Sequence, residues 1–227
     1  MPVDPSPPRQ APRPPGPGSV LSALDLACRR GRRLLFQGLH LQLSPASITW
    51  LRGSNGSGKT SLLRILAGLS APAEGHVCWN GQRLPQGGDQ ARAGTVYIGH
   101  SNALKDDLTL AEALAFLAHL QGLDTAPGRA RAALTQLGLA NRANAPVRTL
   151  SQGQRRRGAL ARLALDDAPR TWLLDEPFDA LDQASTLHLA RLIVAHAGRG
   201  GAVLLTSHQP VALAGALEFD LEPWRAA

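Results

Sequence analysis

Nothing in the 227 residues offers the unbroken apolar run of roughly 18 that a membrane-spanning helix needs. Of the two longest charge-free stretches, each of 18 residues, Leu34 to Leu51 is interrupted by Gln37, His40, Gln42, Ser44 and Pro45 and Gly200 to Leu217 by Thr206, Ser207, His208, Gln209 and Pro210, so the chain is not expected to cross a bilayer by itself. Cysteine is scarce: Cys28 and Cys78 share no metal-ligand spacing and are too few for a disulfide framework, which fits a reducing compartment. Lysine is scarcer still in proportion, with only Lys59 and Lys105 against 22 arginines, a bias that reads as a compositional habit rather than a designed binding surface. No internal repeat and no long heptad run is present.

What is there is enough for one good-sized domain or two small ones. At 44% hydrophobic and 18% charged, the chain can bury a sizeable core. The formal charge of +7 invites a nucleic-acid reading, but much of the excess sits at the front, where six arginines (9, 13, 29, 30, 32, 33) face only Asp4 and Asp25. Beyond residue 33 the balance is +3, so nucleic acid is the minority reading. Anionic headgroups or a phosphate ligand would suit the same charge.

Residues 1–18 carry eight prolines and almost nothing to bury; they are expected to form a solvated tail, or at most a Pro-rich docking ligand, and they lack the apolar core of a secretory signal. Strands are expected at Ser22–Cys28, Leu34–Leu43 and Ile48–Leu51. A helix follows, with Leu62, Leu63, Leu66 and Leu69 on its apolar face and Gly68 and Pro72 ending it. His76–Trp79 runs into the turn dipeptide Asn80-Gly81, and Thr95–Ile98 is a further strand. Residues 101–150 change to short Ala/Leu helices, opened by the capping box Thr109-Leu-Ala-Glu112, and helices are expected at 129–137, 151–166 and 183–197. Strands return at Trp172–Leu174 and Ala202–Thr206. This alternation predicts an α/β fold with a parallel, doubly wound sheet and a helical insertion.

Three strings carry chemistry. Gly53-Ser54-Asn55-Gly56-Ser57-Gly58-Lys59-Thr60 lies between a strand and a helix and matches the phosphate-binding loop. Its glycines let successive N–H groups face phosphate oxygens, the helix that continues through Ser61 adds its positive end, Lys59 reaches the β- and γ-phosphates, and the Thr60 hydroxyl is a Mg²⁺ ligand. Trp172-Leu-Leu-Asp175-Glu176 is an apolar strand ending in two carboxylates. In a parallel sheet that end faces the ligand crevice, so Asp175 would hold Mg²⁺ through water and Glu176 would accept the proton of an attacking water. Leu150-Ser151-Gln152-Gly153-Gln154 is locally a capping box opening a helix.

Placed 24 residues before Asp175, that third string resembles the signature motif of ABC-transporter ATPases, and the resemblance covers about residues 20–215. It implies a P-loop ATPase with a RecA-like parallel core, an antiparallel β subdomain and an inserted helical subdomain, about 101–165, within a domain spanning 19–227. It further implies ATP and Mg²⁺ as ligands and two chains packed head to tail, with Ser151, Gln152, Gly153 and Gln154 of one chain on the γ-phosphate held by the other. Asp179-Ala-Leu-Asp182 corresponds to the loop through which the copies communicate, with Asp182 on the partner's nucleotide, and His208 to the histidine that contacts the γ-phosphate. A metabolite P-loop kinase would leave 150–154 and Asp179–Asp182 without a role. A soluble nucleic-acid-associated ABC ATPase would usually carry two cassettes or a long coiled coil, and neither is visible.

Two departures narrow the resemblance. His100, in Tyr97-Ile-Gly-His100-Ser, stands where most members have glutamine, and Arg30 stands where an aromatic residue usually stacks on adenine, a task a guanidinium can also perform. With Ser151-x-Gly-Gln-Arg-Arg-Arg and Thr206-Ser-His-Gln-Pro210, these features resemble the ATP-binding subunit of the cytochrome c biogenesis transporter, the haem exporter family. No further domain is expected after residue 215, which agrees with this resemblance, and no Cys-x-x-Cys-His string is present for covalent haem. The resemblance implies a peripheral protein on the cytoplasmic side of a bacterial inner membrane. Its partners would be a second copy, two copies of a multi-span membrane subunit and other cytochrome c assembly membrane proteins, without nucleic acid. Nothing in the sequence itself names the cargo.

If His100 accepts a hydrogen bond from the lytic water, only its neutral form serves, because imidazolium has no lone pair to offer. The pH–rate profiles of ATP hydrolysis by wild type and His100→Gln should then differ. Superimposable profiles would remove the role.

Overall fold

The computed structural model describes residues 20–84, 88–123, 126–208 and 213–226; the proline-rich segment 1–18 lies outside these. Two sheets organise the chain. Strands β1 (Leu21–Arg30), β2 (Arg33–Leu43), β4 (Glu74–Trp79) and β5 (Gln82–Arg83) form an antiparallel sheet in the order β2-β1-β4-β5. Strands β3 (Ser47–Arg52), β6 (Thr95–Ile98), β7 (Thr171–Leu174), β8 (Ala202–Thr206) and β9 (Ala216–Asp220) form a wholly parallel sheet in the order β6-β7-β8-β3-β9. Both expected sheet types are therefore present. The strand that precedes the phosphate loop, β3, sits between β8 and β9.

The parallel sheet is covered on both faces, which is why its central strands read as unbroken apolar runs. Period-2 alternation assigns each side chain to one of two cores. Trp172, Leu174, Val203 and Leu205 join a core with helices α3 (Leu110–Leu120), α4 (Ala126–Gln136), α5 (Gln152–Leu160) and α6 (Gln183–Gly198). Leu173 and Leu204 point the other way, into a core shared with β1, β2 and helix α1 (Lys59–Leu66). So α1 lies between the antiparallel sheet and the parallel one, and burying Leu62, Leu63, Ile65 and Leu66 fixes the loop at its N-terminus against both.

Caps set the helix ends. Thr109 and Glu112 form the expected capping box on α3, Ser151 and Gln154 form one on α5, and Asp182 accepts the Ser185 N–H at 2.8 Å to start α6. Two expectations are corrected, and the structure adds elements that no pattern announced. Helix α1 ends at Leu66 and Gly68 turns left-handed behind it, so Leu69 falls past the helix and is 56% exposed rather than part of the apolar face. The helix expected over 151–166 is α-helical only to Leu160 and tightens into a 3-10 turn over Ala161–Ala164. The fold also continues past residue 215, through β9 and a 3-10 turn at Glu222–Trp224, and includes a short helix α2 (Gly88–Gly94) that showed no periodicity.

The antiparallel sheet closes over one tight contact. Beside the irregularity in β1–β4 pairing between Leu24 and Ala27, Gly75 has φ +78°, and a Cβ there would come within 2.3 Å of the Asp25 carbonyl oxygen and 2.4 Å of that of Leu24. Gly75→Ala should therefore cost about 2 kcal/mol and lower the thermal midpoint by about 5 °C or more, read by circular dichroism. An unchanged midpoint would show that β4 can move away from β1.

Candidate functional site

The phosphate loop is made by the way β3 hands over to α1. Gly53 (φ +151°) and Gly58 (φ +108°) carry conformations that side chains rarely adopt. A Cβ on Gly53 would meet Ser57 Oγ at 2.8 Å, and one on Gly58 would press on the Phe36 ring at 3.1 Å. Lys59 lies back along its own loop, its Nζ donating to the carbonyls of Gly53 (2.7 Å) and Ser54 (3.1 Å).

Across from the loop, β7 and β8 end side by side. Asp175 is 2% exposed; its N–H donates to the Ile98 carbonyl at 2.8 Å, and its Oδ1 accepts from the Thr206 hydroxyl at 3.1 Å. Glu176, 8% exposed, takes φ +48°, and its N–H donates to the same Thr206 oxygen at 2.8 Å. Its Oε2 accepts the His208 N–H at 2.9 Å, while His208 Nε2 lies 3.5 Å from Oε1. The carboxylate is thus aimed by two neighbouring strand ends and does not swing freely.

These groups open into one polar cleft of about 420 Å³. It brings together Lys59 and Thr60 from α1, His100, the carboxylates of Asp175 and Glu176, and His208; Asn55, Gly56, Gly58 and Ser61 of the loop and Arg30 and Arg33 of the β1–β2 hairpin complete its wall. Arg30 and Arg33 are cross-strand partners beside the turn at Gly31 and form no ion pair among the described residues. A second cleft of about 490 Å³, between the end of α1 and β4, is lined by ordinary side chains and holds no comparable set of charges.

The remaining expected site residues lie elsewhere. Ser57 is buried beneath the loop, and its hydroxyl finds no partner among the described residues. Gly53 and Ser54 line an adjoining cleft that shares Lys59 and His208 with this one, and there the Ser54 N–H donates to Glu222 Oε1 at 2.5 Å and Arg225 Nη1 donates to Ser54 Oγ at 3.1 Å. Ser151, Gln152, Gly153 and Gln154 are not on the cleft; Ser151 Oγ accepts the Gln154 N–H (3.2 Å) and Gln154 Oε1 accepts the Ser151 N–H (3.0 Å). Asp182 serves as the cap of α6, hydrogen bonds from Ser185 drawing its carboxyl below the usual range.

A divalent cation suits the residues present. Asp175 Oδ2 is buried and has no hydrogen-bond partner among the described residues, an acceptor left open in the cleft that also contains the Thr60 hydroxyl. Oxygen donors of this kind are what Mg²⁺ takes, together with water and phosphate oxygens.

Sequence reasoning missed Thr206, which bridges both carboxylate-bearing residues, and Arg156, whose guanidinium lies beneath them. It also missed Glu222 and Arg225. The only advance signal was local: Thr206 ends an apolar strand two residues before His208, whereas Arg156 is the middle of three consecutive arginines, and nothing in that run marks it as the buried one.

The class follows from comparison as well as geometry. The family model of the ABC transporter matches residues 36–179. The fold is similar to a solved ATP-binding subunit of an ABC transporter (26% identity, TM-score 0.76, covering 84% of this chain and 80% of that one). It also resembles the dimeric cassette MJ0796 in a post-hydrolysis state with ADP and Pi (21% identity, TM-score 0.78, 88% and 94% covered). The chain belongs to the ABC-transporter family and is its ATP-hydrolysing, energy-coupling subunit.

Its relatives place it further. It is 46% identical to the cytochrome c biogenesis ATP-binding export protein CcmA of Aromatoleum aromaticum, over 84% of this chain and 89% of that protein. It is 44% identical to the CcmA of Paramagnetospirillum magneticum over 92% and 97%, and 45% identical to that of Pseudomonas aeruginosa over 86% and 95%. Within the ABC family the chain belongs to these cytochrome c biogenesis export ATPases.

Glu222 ties the C-terminal segment to the phosphate loop. Hydrogen bonds from Ser54, reinforced by Arg225, hold its carboxyl down at about 2 against an ordinary 4.5. A depressed carboxylate contributes stability that is complete above the unfolded value and fades as pH falls toward the folded one. Glu222→Gln should therefore be less stable than wild type at neutral pH, with the difference shrinking below about pH 4.5 and closing near 2. Urea midpoints against pH would measure this; a pH-independent gap would show that the charge is immaterial.

Proposed function

We propose that two copies of this chain clamp two Mg·ATP molecules head to tail and hydrolyse them to drive a membrane partner. The observation that supports this most directly is the Glu176 carboxylate, held by the His208 N–H and the Thr206-anchored backbone in the same cleft as Lys59 and the loop amides. In this reading the N–H groups over Asn55–Ser61 cradle the phosphates and the end of α1 adds its positive dipole. Lys59 exchanges the neutral carbonyls of Gly53 and Ser54 for β- and γ-phosphate oxygens, a stronger charge-assisted pair. Arg30 stacks on the adenine.

Thr60 and Asp175 would hold Mg²⁺, which supplies charge neutralisation on the phosphate oxygens. Glu176 accepts the proton of the attacking water, while His100 and His208 orient the water and the γ-phosphate. Catalysis is then positioning and charge compensation rather than covalent chemistry. Ser151 and Gly153, with Gln152, Gln154 and Asp182, complete the partner's pocket. Their distance from this chain's own cleft supports that assignment, since one copy leaves them no nucleotide to touch.

Among the described residues no helix is long and apolar enough to cross a membrane, so membrane attachment would come through a multi-span subunit, present twice, with other cytochrome c assembly proteins nearby. The relatives' export function in cytochrome c biogenesis supports a place at the cytoplasmic face of a bacterial inner membrane, with haem as the proposed cargo. Residues 19–227 would act as one nucleotide-binding domain, with about 101–165 as its helical subdomain.

Two substitutions test the reading. Lys59→Ala should abolish nucleotide binding or turnover. Glu176→Gln should lower turnover by about a hundredfold or more while Mg·ATP leaves the protein as a stable dimer on size exclusion. Retained hydrolysis in Glu176→Gln would remove the general base, and a monomer under every nucleotide condition, with or without the membrane subunit, would remove the clamp.

A further inference from the structure

Arg156 has no part in the reading above, yet it is among the most deeply placed charges in the molecule, 4% exposed. It projects from α5, whose N-terminus carries Ser151 and Gly153. Its Nη2 donates to the backbone carbonyls of Asp175 (2.9 Å) and Glu176 (2.6 Å). Its Nη1 donates to the Gly99 carbonyl (2.9 Å), with Asn102 Oδ1 at 3.5 Å. One planar guanidinium thus joins three segments: the signature helix, the catalytic carboxylate pair and the loop that carries His100.

The segments are close-packed as well as hydrogen-bonded. A Cβ on Gly153 would lie 3.0 Å from the Ala180 carbonyl oxygen, so the tip of α5 rests on the Asp179–Asp182 loop, and a Cβ on Gly158 would lie 2.7 Å from Leu110 on α3. Burial draws the guanidinium down from its usual value while Asp179, Asp175 and Glu176 act to keep it charged. The acceptors it reaches are carbonyl oxygens rather than a carboxylate, so its fork reads the path of the backbone. It fixes the Glu176 carbonyl from one side while Thr206 fixes the Glu176 N–H from the other.

We infer that Arg156 is a positioning residue that couples the two nucleotide sites, passing a displacement of α5, imposed by the partner's nucleotide, to Glu176 and the Gly99–Asn102 loop of its own chain. The inference rests on the head-to-tail arrangement proposed above. The planar fork is what the role requires. A lysine ammonium is a point donor on a flexible stem and cannot span both the Gly99 carbonyl and the Asp175–Glu176 pair.

The experiment compares wild type, Arg156→Lys and Arg156→Gln in ATP binding, in ATP hydrolysis as a function of ATP concentration, and in dimer formation when Glu176→Gln is added. Wild type should respond sigmoidally to ATP. Both variants should bind ATP within about twofold of wild type and still form the trapped dimer, but lose about tenfold or more in kcat, with KM little changed and the Hill coefficient falling to about 1. A purely structural role would instead lower the thermal midpoint and weaken binding together.

Unchanged kcat and cooperativity in Arg156→Lys, or a hyperbolic wild type, would overturn the inference. An Arg156→Gln protein that does not fold would show a scaffold alone and would overturn it too. Failure of the wild-type background to dimerise at all would strike the head-to-tail reading, and is distinguished from these outcomes by the Glu176→Gln control.

Discussion

The hydroxyl of Thr206 is fully buried, yet it donates to Asp175 and accepts from the N–H of Glu176. That small bridge exists because β7 and β8 run parallel in a register that pairs Leu174 with Leu205, so the residues that follow, Asp175 and Thr206, reach the same level. A buried carboxylate needs compensating hydrogen bonds, and a left-handed φ at a non-glycine residue persists only where its surroundings over-determine it. The pairing supplies both. Two apolar cores, one on each face of the sheet, hold the strands in that register, and a slip of one residue would send Leu173 and Leu204 to the wrong core while separating Thr206 from Asp175.

How much of this the chain announces in advance depends on sequence distance. The loop at Gly53–Thr60 and the pair Asp175–Glu176 are legible because each is contiguous and follows an apolar strand, so its chemistry and placement are written together. Thr206 is 31 residues from Asp175, Arg156 is 20 from Glu176, and Glu222 is 168 from Ser54; no local pattern links members of such pairs. Strand β9 was missed for a different reason. It is the edge of its sheet, most of its residues are exposed, and Ala-Leu-Glu-Phe-Asp therefore carries no clean buried face. Leu69 was misread because the helical period continued past the glycine that ends α1; the left-handed turn at Gly68 outweighs one more leucine at the right spacing.

The surplus of positive charge gains a location from the fold. Arg29, Arg30, Arg32 and Arg33 flank the tight turn of the β1–β2 hairpin, and Arg30 and Arg33 reach the wall of the cleft. Beside them lie the loop amides and Lys59, and facing them the buried carboxylates. A polyanion carrying a metal would find cations around its phosphates and base and oxygen ligands at its metal, so the net charge is better explained by a small, highly charged ligand than by an extended nucleic-acid surface.

In the proposed head-to-tail arrangement a single copy is only half of a site. Helix α5 begins without an acidic residue in its first turn, and its side-chain cap satisfies only part of the N-terminal donor set. Such an end attracts anions, yet the cleft of its own chain does not include it. Meanwhile the middle of α5 is tied by Arg156 to the backbone carbonyls of Asp175 and Glu176, whose side chains face that cleft. A helix with an open positive tip and a middle fixed beside the proposed catalytic carboxylate is mechanically suited to sense one nucleotide and act on another. In the proposed arrangement, a second copy whose phosphate loop faces this tip would complete both pockets at once and would make each nucleotide's binding depend on the backbone geometry set around the other.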